Sequence, residues 1–182
     1  MGTIKTTNIE PIADNGTVTL GSSGDTFTLG SGVLQSNMLY PAFFAHSASD
    51  QTGISDNTYT KVILGTEIYD TDSVFSDSRF TVPTGKAGKY FLYGSVKCKT
   101  SSNSDLANAY AAIYLNGSRY LENRMNFTSN SVRLSTNLIH VTLNLSVGDY
   151  VELYGAVDSG SSSREFGASE KATNFGAYRI GS

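Results

Sequence analysis

The chain has 182 residues, a formal net charge of −3, 11 tyrosines, nine phenylalanines and only 13 lysine and arginine residues. The cations are scattered singly along the sequence, which excludes an extended phosphate-binding footprint, so no nucleic-acid partner is expected. The single cysteine, Cys98, has no second thiol for an intrachain disulfide, so stability must come from packing or from oligomerisation.

The composition also indicates the fold class and the targeting of the chain. Thr, Val, Ile, Tyr and Phe favour strands, while Gly, Asn, Asp and Ser supply turns, so we expect an all-β protein. Residues 1–10 lack the basic and then apolar pattern of a signal peptide. No stretch approaches the ~20 apolar residues of a membrane span. We therefore expect synthesis in a cytoplasm, without insertion into a membrane.

A short repeat marks the N-terminal segment. The sequence Thr-Val-Thr-Leu-Gly-Ser at residues 17–22 recurs as Thr-Phe-Thr-Leu-Gly-Ser at residues 26–31, nine residues later. Each copy is a short alternating stretch followed by a turn, and two copies cannot bury an apolar face alone. Residues 1–36 are therefore predicted to be an anchor and stem that orders in an oligomer, unless they form a flexible linker. The apolar anchor candidates are Val18, Leu20, Phe27 and Leu29.

From about residue 37 to residue 182 the sequence predicts a second domain of short strands separated by polar turns. The predicted strands are residues 39–45, 58–63, 78–82, 89–99, 109–115, 119–125, 132–145, 150–157 and 175–180. Asn116-Gly117 is a strong signal for a two-residue hairpin turn, and residues 147–149 form a second turn. Residues 158–172 are polar and are predicted to be a long surface loop.

One predicted strand is apolar on both faces. Tyr90, Leu92 and Val96 lie on one side of the strand at residues 89–96, and Phe91 and Tyr93 lie on the other side. Such a strand is either central in a sandwich or packed against another subunit. Strand 132–145 instead alternates apolar and polar residues, which predicts one buried and one wetter face.

Several short motifs follow one another in the second domain. They are Pro41-Ala42-Phe43, Phe75, residues 79–83 ending in Pro83, residues 88–91 with Gly88 and Tyr90, Asn116-Gly117, residues 147–153 and residues 175–180. In these motifs and their order, residues 40–180 resemble the globular heads of the complement C1q and tumour necrosis factor (TNF) superfamily. The resemblance implies a ten-stranded jelly roll that assembles as a homotrimer. It makes seven aromatic residues candidates for the core or the trimer interface: Phe80, Tyr90, Phe91, Tyr93, Tyr154, Phe175 and Tyr178.

A search for catalytic or metal-binding chemistry finds little. His46 and His140 are read as strand histidines because neither stands near a nucleophile motif. Lysines flank Cys98 and favour a lowered thiol pKa, but no base accompanies it. We therefore expect no enzyme activity and no cofactor. We expect no metal site. The turn carboxylates of Asp70, Asp72 and Asp77 are only weak candidates for binding Ca²⁺, because solvated turn aspartates are the simpler interpretation.

In place of a collagen stalk the chain has the short repeat, which resembles the stems of phage fibre and appendage proteins. The sequence hypothesis is therefore a virion structural protein, made in the host cytoplasm and displayed on the virion surface. It would be a trimeric fibre, spike or capsid decoration protein that contacts capsid or tail through residues 1–36. The alternative is a host-adhesion tip that binds a surface glycan or receptor through loops 101–108 and 158–172. Three tyrosines are candidates for stacking on sugars: Tyr59, Tyr110 and Tyr120.

Overall fold

The structure is a computed structural model that describes residues 40–127, 132–160 and 163–181. The predicted stem at residues 1–36 lies outside the described residues. The same holds for its apolar anchor candidates: Val18, Leu20, Phe27 and Leu29. Within the described ranges, none of the helical structure is long and apolar enough to span a bilayer.

The described residues form thirteen β-strands and one short 3₁₀ turn at Ser169–Lys171. Ten of the strands have three residues or more, and the remaining three have two residues each. In chain order the strands are β1 (Ala42–His46), β2 (Gln51–Thr52), β3 (Thr60–Lys61), β4 (Thr66–Asp70), β5 (Phe75–Ser76), β6 (Arg79–Thr81), β7 (Gly88–Thr100), β8 (Leu106–Leu115), β9 (Ser118–Asn126), β10 (Leu134–Leu145), β11 (Tyr150–Ser159), β12 (Arg164–Phe166) and β13 (Asn174–Gly181).

These strands form two antiparallel sheets around one core. The first sheet has the order β2-β12-β7-β13-β1-β4, and β10 pairs with the other edge of β7. The second sheet has the order β5-β6-β11-β8-β9, and β3 pairs with β11 next to β6. Strand β7 is central, because β10 follows it from Gly88 to Lys99 while β13 and β12 share its opposite edge. The all-β sandwich predicted from the sequence is confirmed.

The motifs that carried the family resemblance meet in the core. Phe43 stacks on Phe75 and Phe80, with ring centroids 4.4 and 5.4 Å away. It also meets Phe175 edge-on at 5.3 Å, and Phe80 lies 5.3 Å from the ring of Tyr90. Phe80, Tyr90 and Phe175 are each 0 % exposed. The residues of the sequence signature therefore form one aromatic cluster that joins the two sheets.

Burial of Tyr90 requires a partner for its hydroxyl group, because an unpaired polar group in the core is costly. The Tyr90 hydroxyl donates a hydrogen bond to the carbonyl oxygen of Lys86 at 2.6 Å. Burial raises the pKa of Tyr90 to about 12. The hydroxyl group of Tyr90 therefore stays neutral, and its hydrogen bond connects β7 to the turn before it.

Both predicted turns are present. Asn116 and Gly117 have φ angles of 51° and 80°, the left-handed pair that a two-residue type I′ hairpin requires, and they connect β8 to β9. Gly148 has a φ of 85° in the turn between β10 and β11. In that turn the Ser146 amide donates to the Asp149 carboxylate at 2.7 Å.

The prediction of a long surface loop at residues 158–172 is wrong for part of this segment. Strand β11 runs on to Ser159, and β12 pairs with both β7 and β2. Phe166 is 0 % exposed, and its ring lies so close to Gly155 that a Cβ there would stand 2.8 Å away. One apolar residue in a polar segment is therefore a core residue.

Ion pairs explain why such a polar segment forms a strand. The Arg164 guanidinium lies 2.8 Å from the Asp56 carboxylate, and Glu165 lies 3.0 Å from the ammonium group of Lys99. Pairing with charged neighbours offsets the cost of placing these charged side chains beside Phe166. The loop predicted at residues 101–108 is also shorter than expected, because β8 begins at Leu106, which is fully buried.

The corrected position of Phe166 has a measurable consequence. Phe166→Ala should lower the free energy of unfolding by about 3–5 kcal/mol, because it removes a fully buried ring and leaves a cavity. Denaturant titration followed by circular dichroism measures the loss. Ile63→Ala is the matched control, since Ile63 is 60 % exposed and its loss should stay within about 0.5 kcal/mol. Equal losses of stability in the two variants would show that Phe166 lies in a surface loop and not in the core.

Candidate functional site

The outward side of the first sheet carries a continuous set of aromatic side chains. Alternation along β7 turns Phe91 and Tyr93 away from the core, because their neighbours Tyr90 and Leu92 point into it. Four other strands of this sheet, β1, β4, β10 and β13, each add one ring. We call the following six residues the aromatic face: Phe44, Tyr69, Phe91, Tyr93, His140 and Tyr178.

The rings of the aromatic face contact one another across five strands. Phe44 and Tyr93 are stacked with centroids 6.2 Å apart, and Tyr93 is in turn 6.0 Å from Phe91. Phe91 lies 5.5 Å from Tyr178 and 6.1 Å from His140. The separations suit offset and tilted aromatic pairs. The rings are therefore held in place before any partner binds.

Gly176 makes this arrangement possible. It is the β13 residue paired with both Tyr93 and Phe44. A Cβ at Gly176 would stand 2.5 Å from the Tyr93 ring and 3.0 Å from the carbonyl oxygen of Phe43. The missing side chain lets Tyr93 lie across β13 and reach Phe44.

The aromatic face is only partly covered within one chain. Tyr69 is 43 % exposed, and Phe44, Phe91, Tyr93 and Tyr178 are intermediate in burial. Burial, together with the nearby hydroxyl of Tyr69, raises the pKa of Tyr93 well above its ordinary value of 10, so its hydroxyl stays neutral. A contiguous, partly exposed aromatic surface of this kind is typical of association sites.

Tyr154 lies neither in the core nor on the aromatic face. Val151 and Leu153 of β11 point into the core, so alternation turns Tyr154 to the outer side of the second sheet. There it stacks on Tyr114 with centroids 3.9 Å apart. We call the surrounding residues the tyrosine–charge face: Tyr59, Lys61, Arg79, Tyr114, Arg119, Glu122, Tyr150, Glu152 and Tyr154.

The centre of the tyrosine–charge face is a buried carboxylate. The side chain of Glu152 is 3 % exposed and lies 2.7 Å from Lys61 Nζ and 2.9 Å from Arg79 Nε. Burial alone raises the pKa of Glu152, but hydrogen bonds from Lys61 and Arg79 outweigh burial and hold that pKa below its ordinary value of 4.5. The site therefore keeps a charged carboxylate beneath two cations.

The tyrosines predicted to stack on sugars occupy different positions. Tyr110 is only 7 % exposed and lies beneath Tyr59, with ring centroids 5.6 Å apart, so its predicted surface position is wrong. Tyr59 is half-buried, its hydroxyl donates to Glu122, and the Arg119 guanidinium lies 4.6 Å from its ring centre. Tyr120 is 55 % exposed.

Cys98 is a core residue. Its thiol lies 3.4 Å from the carbonyl oxygen of Ala156, and burial raises the pKa of Cys98 to about 12. The flanking lysines do not lower this pKa, because alternation turns them to the opposite side of β7. Lys97 contacts Ser169, and Lys99 pairs with Asp50. A thiol in this environment stays protonated and inert.

The carboxylates considered for metal binding serve other purposes. Both carboxylate oxygens of Asp70 accept backbone hydrogen bonds, from Val74 at 3.0 Å and Phe75 at 2.9 Å. Asp72 lies 3.9 Å from Lys86, and Asp77 is an exposed turn residue with a φ of 49°. Among the described residues, no group of three or more His, Cys, Asp or Glu side chains is arranged to hold a metal ion.

Solved structures show the same architecture. The globular domain of the zebrafish complement 1qA protein superposes with a TM-score of 0.52 and 16% identity, over 77% of this chain and 97% of that one. Murine APRIL gives 0.55 and 11% identity, over 76% and 98%. Eiger TNF from S. frugiperda gives 0.57 and 10% identity, over 78% and 93%. No protein-family model and no curated protein sequence matches the chain. The fold is therefore a C1q/TNF-like jelly roll.

Contact between Gly176 and Tyr93 generates a double-mutant prediction. Gly176→Ala should lower the free energy of unfolding by about 1–3 kcal/mol, because the new methyl group overlaps the Tyr93 ring. In a Tyr93→Ala background the same change should cost less, because the ring is gone. Chemical denaturation of the four proteins measures the coupling. Additive effects would show that Tyr93 does not lie over Gly176.

The Glu152 ion pairs predict a pH dependence of stability. Because the folded-state pKa of Glu152 is lowered, its contribution is complete above 4.5 and is lost as the pH falls through the folded value. Glu152→Gln should therefore cost about 1–3 kcal/mol at neutral pH, and this difference from wild type should shrink in acid. Urea titrations across this pH range measure it, with Glu67→Gln, an exposed carboxylate on β4, as control. A difference that persists undiminished at low pH would contradict the assignment.

Proposed function

We propose that the protein is a non-enzymatic, homotrimeric head displayed on the surface of a phage particle. In this proposal the head is a capsid decoration protein or a short fibre, and residues 1–36 attach it to capsid or tail. The fold supports the coarser part of the proposal, a C1q/TNF-like domain of the trimeric binding type. The repeat in residues 17–31 supports the finer part, because it resembles phage stems.

The observation that carries the proposal is the aromatic face. Phe44, Phe91, Tyr93 and Tyr178 are pre-ordered against one another and still partly exposed in a single chain. An isolated subunit would leave this surface in water, at a cost proportional to its apolar area. Association of identical chains removes it from water without any other component.

A ring of three requires two different contact surfaces on each chain, because heterologous contacts close into a cycle. The edge formed by β9 and β10 supplies a suitable second surface. Leu138 is 68 % exposed, and Met125 and Leu134 are 43 and 41 % exposed. Asn123 ties the two strands by donating to the Leu138 carbonyl oxygen at 2.7 Å. We assign this apolar edge as the partner of the neighbouring chain's aromatic face.

Display as a trimer also gives weak sites avidity, since three copies raise the effective concentration of any surface site. This favours adhesion as the second candidate function, in which the head is a host-attachment tip. The specific observation in its favour is the tyrosine–charge face, a polar and aromatic surface on the sheet opposite to the aromatic face. The two functions are compatible, because they use different sheets.

Light scattering after size-exclusion chromatography tests the trimer. The wild-type chain should have three times the single-chain mass of 19.4 kDa, and Phe91→Asp should have the single-chain mass, because a charge at the centre of the aromatic face opposes its burial. Ile63→Asp, on an exposed residue outside both contact surfaces, should stay trimeric. Circular dichroism checks that both variants fold. A wild-type monomer, or a trimeric Phe91→Asp, would contradict the interface.

A further inference from the structure

The tyrosine–charge face has features of a ligand site that the proposed trimer does not use. It lies on the outer side of the second sheet and shares no residue with the aromatic face or with the exposed apolar residues of the β9–β10 edge. Four tyrosines and five charged side chains share it. Their arrangement is fixed by contacts within the chain, so a ligand would meet a preformed surface.

The charged side chains of this face lie at different depths. Glu152, at 3 % side-chain exposure, is beneath the surface, whereas its partners Lys61 and Arg79 are 30 and 43 % exposed. Arg119 is 46 % exposed and pairs with Glu122, which is 30 % exposed and also accepts from Tyr59. The solvent therefore meets three cations and one partly engaged carboxylate. In a chain of net charge −3, this surface is complementary to a ligand with an acidic group.

The tyrosine rings determine what else the ligand must contain. Tyr114 and Tyr154 form a stacked pair, and Arg79 lies 4.0 Å over the centre of Tyr150. Tyrosine rings combine a flat apolar surface with a polar tip, which suits a ligand whose faces are apolar and whose edge bears hydroxyl groups. A sugar ring has both features. The side chains that fix these rings also supply donors for sugar hydroxyls.

From these observations we propose that the tyrosine–charge face binds an acidic saccharide. In this assignment Arg119, Lys61 and Arg79 bind the acid group, and the ring of Tyr154 contacts a sugar face. A nucleic acid fits the surface less well, because a phosphate at every nucleotide requires more cations than the three present here. A saccharide with one acid group per few sugars matches that number.

An array of neutral, carboxylated and sulfated oligosaccharides, with a short single-stranded oligonucleotide beside them, tests the proposal on the purified full-length protein. We expect binding to acidic saccharides, little to neutral ones, and weakening by salt. Titration calorimetry with the best-bound acidic saccharide should show about a tenfold loss of affinity in Arg119→Ala, the effect of removing one charge-assisted hydrogen bond. Arg119→Lys should recover part of this loss.

Arg133→Ala is the matched control, because Arg133 is exposed and lies outside the tyrosine–charge face. It should bind like wild type. Equal binding of neutral saccharides, tighter binding of the oligonucleotide, no acidic saccharide bound, or full affinity in Arg119→Ala would each overturn the proposal. The face belongs to a single chain, so a monomeric protein would refute the proposed trimer and leave this test readable.

Discussion

Strand β7 is the constraint on which the rest of the structure depends. It is the longest strand described, and it has bulky side chains on both faces. Tyr90 and Leu92 on one face complete the core between the sheets, where burial stabilises the single chain. Phe91 and Tyr93 on the other face begin an aromatic surface that the chain covers only partly. The same residue pattern therefore stabilises the fold and supplies the surface that the proposed trimer buries.

The two sheets divide their outer surfaces by chemistry. The outer side of the first sheet carries the aromatic face, and a glycine at position 176 provides room for Tyr93. The outer side of the second sheet places tyrosines around a buried, doubly paired Glu152. A buried ion pair is weak evidence for stability, because desolvation offsets its attraction. The proposed saccharide site gives Glu152 a second role, because its carboxylate holds the partly exposed cations of Lys61 and Arg79 in place.

The sequence was sufficient for the features that depend on local pattern. Alternation predicted β10, the Asn-Gly pair predicted the β8–β9 turn, and the ordered motifs predicted the jelly roll. The sequence was not sufficient where contacts with residues distant in the chain determine the structure. Strand β12 is polar, and only its pairing with β7 and β2 and the burial of Phe166 make it a strand. Tyr154 resembled a core residue because the sequence alone does not show which side of β11 faces the opposite sheet.

Hydroxyl-radical footprinting of the native protein measures most directly whether the aromatic face is covered by other chains. At working concentration Tyr93 and Tyr178 should be protected from oxidation, while Tyr120, 55 % exposed in the single chain, should react. Dilution below the dissociation range should expose Tyr93 and Tyr178 while circular dichroism stays unchanged. Equal oxidation of both tyrosines at every concentration would show that the aromatic face is never covered, and the account of self-association would be wrong.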